Sequence, residues 1–257
     1  ATHARIKVQK RRGLYSQGLL IPAPPSAKLG DDVAGMLGIE HYVPPEPLNA
    51  HELAPEPPGP HVPHYDVECG RRYSRSALAE GEPVCVTEKP HGSNARFTYR
   101  EGVMHVGNRR AWIVESPNNM WWRAYAEHPE IAAFCRRYEG AILYGELYGN
   151  QDLKYGRMKG QHRIALFDIF HDGAFIPASA ALPLARIWHL PWVPVLHESI
   201  PYDTMAMAQL AEGDSVMPNA NHMREGIVIR PAKEERWHPE CGRVSLKIVS
   251  NAYLEGA

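Results

Sequence analysis

Four short segments of this 257-residue chain carry side chains whose chemistries fit together. Glu88-Lys89-Pro90-His91-Gly92-Ser93-Asn94 sets one lysine after an apolar run and just before a turn. Tyr144-Gly145-Glu146-Leu147-Tyr148-Gly149 follows, then Glu225-Gly226-Ile227-Val228-Ile229-Arg230, then Ser245-Leu246-Lys247-Ile248-Val249. A lysine, two glutamates and a second lysine, each on its own strand-like segment, suit covalent nucleotidyl transfer. Lys89 can attack an α-phosphate, Glu146 and Glu225 can hold a hard cation, and Lys247 can neutralise phosphate charge. One such segment alone carries little weight. Four in this order carry much more, because a motif gains meaning from its context.

Each residue has a plainer reading beside the chemical one. Most lysines at strand ends are solvated and protonated; attack needs the neutral amine, so desolvation and nearby cationic charge must disfavour the ammonium at Lys89. Glu146 and Glu225 sit in Gly-flanked strands, where a charged group is costly without a partner. That partner is either a cation or an arginine, with Arg109 and Arg230 the candidates. Magnesium keeps several waters and takes few direct carboxylates, so the two glutamates are expected to hold it through its water shell. Gly92 supplies backbone freedom. Asn94 can donate to a ribose or phosphate oxygen, or simply form an Asx turn. Trp121, Trp122, Tyr125 and Phe134 form a helical aromatic stripe, which reads as core more readily than as a base-stacking platform.

The order and wording of the four segments resemble the covalent nucleotidyltransferase superfamily of ATP-dependent ligases and capping enzymes. Lys89-Pro90-His91-Gly92-Ser93-Asn94 is similar to the Lys-x-His-Gly-x-Asn form typical of RNA ligases, whereas DNA ligases and capping enzymes more often carry Lys-x-Asp-Gly. Ile6 to Leu20 and Tyr65-Asp66-Val67-Glu68 resemble one RNA ligase clade, found in Deinococcus and Naegleria. Members of that clade carry an oligonucleotide-binding (OB) module ahead of the catalytic domain. The resemblance runs from about Arg5 to Leu254.

That resemblance implies an α+β nucleotidyltransferase (ATP-grasp-like ligase adenylation) domain with antiparallel sheets flanked by helices. It implies ATP and Mg2+ or Mn2+ as cofactors and RNA ends as partners. It implies Lys89 as nucleophile and Glu88, Asn94, Arg109, Glu146, Phe167, Glu225 and Lys247 as nucleotide-binding residues. Glu225 is the metal-side carboxylate and Glu146 the ribose contact, with both able to touch the hydration shell. Phe167 is the aromatic that stacks on the purine, although aromatic alternation alone reads as core; Asp168 is expected on the opposite strand face. Two departures stand out. His91 replaces an aspartate that faces the metal in many relatives. Ser245 and Val249 flank Lys247 where relatives carry a second lysine, so Arg243 is a candidate for the missing cation. Arg71 and Arg72 are candidates for the outer phosphates.

Composition bounds this reading. Net charge is −1, so any RNA surface is local rather than a global basic field. Cys69, Cys85, Cys135 and Cys241 lack the paired spacing of a zinc site or disulfide framework, and free thiols in a reducing, cytoplasmic compartment follow. No apolar run reaches transmembrane length. The fourteen histidines are scattered. A monomer is expected.

The elements that position these residues are readable in part. Residues 1–21 suggest a strand or two and serve as an entry segment. Residues 44–63 hold Pro44, Pro45, Pro47, Pro55, Pro57, Pro58, Pro60 and Pro63 and read as an extended surface loop, not a domain boundary. Strands are expected at Val84–Thr87, Ala95–Tyr99, Val103–Val106, Ala141–Tyr148, Arg163–Phe170, Gly226–Arg230 and Val244–Val249. Asn118 to Tyr138 reads as two helices split at Pro129, with further helices at Leu182–His189 and Asp203–Glu212. The whole chain is read as one adenylyltransferase domain, with the clade's upstream OB module expected to be absent from it. The sequence points to an RNA ligase, with a DNA ligase, an RNA-capping guanylyltransferase or an inactive nucleic-acid-binding relative as alternatives.

Overall fold

A computed structural model describes residues 9–11, 14–16, 22–38, 52–149, 153–156 and 161–256. The chain divides into two compact units, residues 1–50 and 51–257. The division falls inside the proline-rich stretch, which the sequence offered as a loop and not as a boundary. In the first unit, Gln9–Arg11 and Leu14–Ser16 pair as an antiparallel hairpin. The remainder of the expected entry segment, and residues 44–51 of the proline stretch, lie outside the described residues.

The second unit is built on two sheets. The larger has the strand order Ala174–Phe175, His162–His171, Ile142–Gly149, Gly92–Arg100, Val103–Gly107, Trp112–Ile113, Leu53–Ala54. The smaller runs Val195–Pro201, Pro83–Lys89, Gly226–Pro231, Leu246–Val249, Glu68–Cys69. All pairings are antiparallel except Leu246–Val249 with Glu68–Cys69. This is the α+β, antiparallel architecture that the sequence implied.

Strand periodicity decides which face each side chain takes. Ala95 and Phe97 on one strand, with Leu143 and Leu147 on its neighbour, pack against the helices Met120–Ala126 and Pro129–Arg137 through Trp122, Ile131 and Phe134. The aromatic stripe is therefore core, as its helical spacing suggested. Asn119 caps the first of these helices by accepting from the Trp121 and Trp122 N–H groups, and Pro129 opens the second at its first turn. In the smaller sheet Val84, Val86, Ile227, Ile229, Leu246 and Ile248 pack with Met207 and Ala77. Met207 belongs to the helix Thr204–Leu210, capped by Asp203 as expected, and Ala77 to the helix Gly70–Ala77. The opposite faces carry smaller apolar clusters, around Ile142 and Tyr144 on the large sheet and Cys85 and Leu182 on the small one, beside polar groups.

Two expectations need correction, and two elements were not foreseen. The described half of the proline stretch is not a free surface loop. Leu53–Ala54 adds a strand to the large sheet, Val62 is buried, and the carbonyls of Pro58 and Pro60 accept from Arg100 at 2.9 and 2.6 Å. Prolines cannot donate, but their carbonyls accept as well as any. The helix expected at Leu182–His189 runs instead from Ala178 to Ile187 and continues through Pro183. The helix Gly70–Ala77 and the strand Val195–Pro201 were not expected from sequence.

Candidate active site

Lys89 ends one strand of the small sheet, and Gly92 begins a strand of the large one. Pro90 and His91 are thus the link by which the chain passes between sheets, and the lysine stands at that junction. Gly92 is required there by contact: a Cβ would lie 2.3 Å from the Leu147 carbonyl oxygen and 2.8 Å from Glu146 Cγ. Gly226 pairs directly with Lys89, and a Cβ on it would lie 2.1 Å from the Ile248 carbonyl oxygen. These two glycines let three strands close around the lysine.

Register then assembles the candidates. Lys89, Gly226 and Val249 form one row across the small sheet; Thr87, Val228 and Lys247 form the next row on the same face. Glu225, one residue before its strand, brings Oε1 to 2.7 Å from Lys89 Nζ, and both side chains are largely buried. In the large sheet, Asn94 pairs with Glu146. Burial, reinforced by the nearby Glu225 carboxylate, pushes the Glu146 carboxyl up to about 7, against the opposing pull of Lys89 and His91. For Glu225, burial acts upward, but His91 and Lys89 outweigh it and hold the carboxyl below its usual range. Two neighbouring carboxylates with their affinities pushed apart around one lysine are typical of reactive sites.

The arginines expected as partners of the glutamates go elsewhere. Arg109 donates from the single nitrogen Nη2 to both carboxylate oxygens of Asp66, and both side chains remain more than half exposed. Arg230 binds Asp168 at 3.0 Å. The structural alternative for Glu146 and Glu225 therefore loses both of its proposed arginine partners.

Metal fit can be judged from the donors. Among the described residues, no group of three His, Cys, Asp or Glu side chains is arranged to cage a metal ion. Glu225 Oε2 is buried and makes no hydrogen bond among the described residues. A pair of carboxylates with one unused oxygen suits a hydrated hard cation held largely through water, not a dehydrated metal. His91, beside Glu225, contributes an imidazole and no carboxylate to this set.

Other candidates take clear positions. Glu88 lies on the strand face opposite Lys89, and its side chain is not brought to the lysine. It is 1% exposed, accepting from the Ser215 hydroxyl and, at 2.8 Å, from the Val216 N–H. Its carboxylate braces the loop around Ser215. Phe167 packs on Tyr65 with ring centroids 4.8 Å apart. Asp168 does not point simply away from it. The strand bulges between Leu166 and Asp168, and the Tyr65 hydroxyl donates to Asp168 at 2.8 Å, so one tyrosine touches both neighbours. A bulge breaks the two-residue alternation on which the expectation rested.

Arg243 is not the missing phosphate cation. It is buried, donating to Asp168 at 2.7 Å and to Glu235 at 2.6 Å. Lys247 shares the face of Lys89 and makes no ion pair among the described residues. Arg71 donates to the Val249 carbonyl and to Asn251 Oδ1, both at 2.9 Å, which sets it at the end of the Lys89–Gly226–Val249 row. Arg72 stacks on the Tyr73 ring. Sequence reasoning missed Tyr155, Tyr253, Ser215 and Asp66 as partners of the candidate residues. Only Asp66, inside a quoted segment, left any signal.

The comparisons with known proteins agree with this geometry. A family model described as RNA ligase matches residues 82–249, about two thirds of the chain and all four segments. This chain belongs to the RNA ligase family. Naegleria gruberi RNA ligase with PPi is similar in structure, with a TM-score of 0.68 and 26% identity over 98% of this chain and 76% of that one. A variant of that enzyme with ATP and Mn gives 0.67 and 26% over 97% and 76%, and another with AMP and Mn gives 0.68 and 25% over 98% and 76%. No curated protein sequence matches. The RNA ligase is accordingly an enzyme that joins RNA, and the DNA ligase and capping alternatives are not favoured.

Proposed function

We propose that this RNA ligase is ATP-dependent and works through a lysyl-AMP intermediate on Lys89. The observation that carries the reading is Lys89 Nζ held 2.7 Å from Glu225 at the junction of two sheets, with Glu146 and Lys247 on the adjoining faces. The amine forms a bond to the α-phosphorus as the bond to pyrophosphate breaks. The RNA 5′-phosphate then displaces the lysine and takes the AMP. A 3′-hydroxyl finally attacks that 5′-phosphate, forming the phosphodiester and releasing AMP. Splitting one condensation into activated steps is the gain of covalent catalysis.

Within this reading, Phe167 offers its face to the purine, Asn94 and Glu146 bind on the ribose side, and Arg109 and Lys247 meet phosphate charge. Magnesium or manganese, held by Glu225 and Glu146 through water, would supply charge neutralisation at the triphosphate. The similar Naegleria enzyme variants with ATP and Mn or AMP and Mn support these ligands. The reading extends to a cytoplasmic monomer; four free cysteines suit a reducing compartment. No helix among the described residues is long and apolar enough to cross a membrane.

The test uses α-labelled ATP and magnesium. The protein should acquire an acid-labile, alkali-stable AMP label that passes to 5′-phosphorylated RNA. Sealing of nicks with RNA at the 3′-hydroxyl should exceed sealing with DNA there. A label from GTP but not ATP, or no label at all, would overturn the reading.

A further inference from the structure

His91 is held by residues far from it in sequence. Its main-chain N–H donates to the buried Tyr155 hydroxyl at 2.8 Å. Its Nδ1 lies 3.1 Å from the Tyr253 hydroxyl and 3.5 Å from Glu225 Oε2. The other oxygen of Glu225 holds Lys89. A continuous line of contacts therefore runs from Tyr253 through His91 and Glu225 to the nucleophile.

Tyr253 is not a loose terminal side chain. It sits on the helix Asn251–Gly256, which is fastened to the backbone that carries Glu225. Ser250 N–H donates to the Glu225 carbonyl at 2.8 Å, and the Ser250 hydroxyl donates to the Arg224 carbonyl at 3.0 Å. That hydroxyl also accepts from the Tyr253 N–H at 3.1 Å, and Glu212 accepts from the N–H groups of Asn251 and Ala252 at 2.7 and 3.3 Å. The phenol and the carboxylate thus ride on one platform, while His91 belongs to the link between sheets. A hydrogen bond between Tyr253 and His91 ties platform to link.

The chemistry of Nδ1 makes this bond consequential. A ring nitrogen either carries its proton or accepts one, and it serves one close partner at a time. The Tyr253 hydroxyl lies closer to Nδ1 than Glu225 Oε2 does, so the phenol helps fix where the imidazole stands relative to Glu225. The carboxylate is left in the orientation that holds Lys89.

We propose that Tyr253 is a positioning residue for lysine adenylylation, acting through His91 on Glu225 and Lys89. This rests on the reading of Lys89 as the nucleophile. Tyr253→Phe removes only the hydroxyl and keeps the ring that packs at 5.7 Å from the His91 ring. It should slow single-turnover protein–AMP formation at saturating ATP about fivefold, the equivalent of one hydrogen bond, with the ATP half-saturation and melting temperature unchanged. In a His91→Ala background the same change should have no further effect. In His91→Asn, whose amide can stand in for Nδ1, sensitivity to the hydroxyl should return. In the metal-free protein, the 15N signal of the His91 imidazole should move on Tyr253→Phe. A wild-type rate for Tyr253→Phe, equal losses with and without His91, or an unmoved imidazole signal would each overturn the proposal while leaving the nucleophile reading intact. Absence of any adduct in the wild-type protein would instead remove both.

Discussion

Glu225 Oε1 and Lys89 Nζ lie 2.7 Å apart because Gly226 pairs with Lys89 across adjacent antiparallel strands. The carboxylate stations the amine at the junction of the sheets before any nucleotide arrives.

The first expected outcome follows from that station. Lys89→Ala should abolish the acid-labile, alkali-stable AMP adduct while circular dichroism stays that of the wild type. An undiminished adduct would show that another group attacks.

The carboxylates should separate from the fold in the same assay. Glu225→Ala and Glu146→Ala should each slow adduct formation ~100-fold or more, since both the cation and the charge developing on pyrophosphate lose support. If both variants react at the wild-type rate, the two glutamates are structural.

How far the sequence reached is clearest at these positions. Lys89, Glu146, Glu225 and Lys247 were legible because each sits in a short segment whose residue types serve one reaction, and strand register brought them to adjoining faces. Helix ends marked by Pro129 and Asp203 were legible from local chemistry. Long-range pairing was not. Nothing near Arg243 in sequence shows that Asp168 and Glu235 will neutralise it, so it looked available for phosphate. Nothing near Glu88 shows that Ser215 will claim it. A one-residue bulge at Phe167 reversed a face assignment that depends on strict alternation. Tyr253 reaches His91 across 162 residues of chain, a contact no local pattern encodes.

Glu146 gives a prediction about stability and pH. Its carboxyl is raised to about 7 in the folded protein, above the ordinary 4.5. The folded state therefore binds its proton more tightly than the unfolded state does. Stability from this group is fully present below about pH 4.5 and is lost as pH rises through 7. In metal-free protein the loss should be on the order of 3 kcal/mol between pH 5 and 8. Glu225 shifts downward and titrates below this window, so it does not mask the trend. Glu146→Gln should flatten the decline in thermal melts across that range. A decline of equal size in the variant would assign it to another group.

Asp168 gives the last prediction, about what keeps the two sheets together. It is fully buried on a strand of the large sheet, yet it binds Arg230 of the small sheet at 3.0 Å, Arg243 at 2.7 Å and the Tyr65 hydroxyl at 2.8 Å. Its charge is the counter-charge of two buried guanidiniums, and their proximity holds its carboxyl below the usual range despite burial. Removing one partner of a buried ionic cluster leaves uncompensated charge and costs about 3–5 kcal/mol. Asp168→Ala should therefore lower stability by about that amount in urea unfolding. Asp168→Asn keeps the shape but not the charge, so it should fall close to the alanine variant. Tyr65→Phe removes one hydrogen bond and should cost only about 1 kcal/mol. Equal losses for Tyr65→Phe and Asp168→Ala would mean that the phenol, not the charge, holds the cluster.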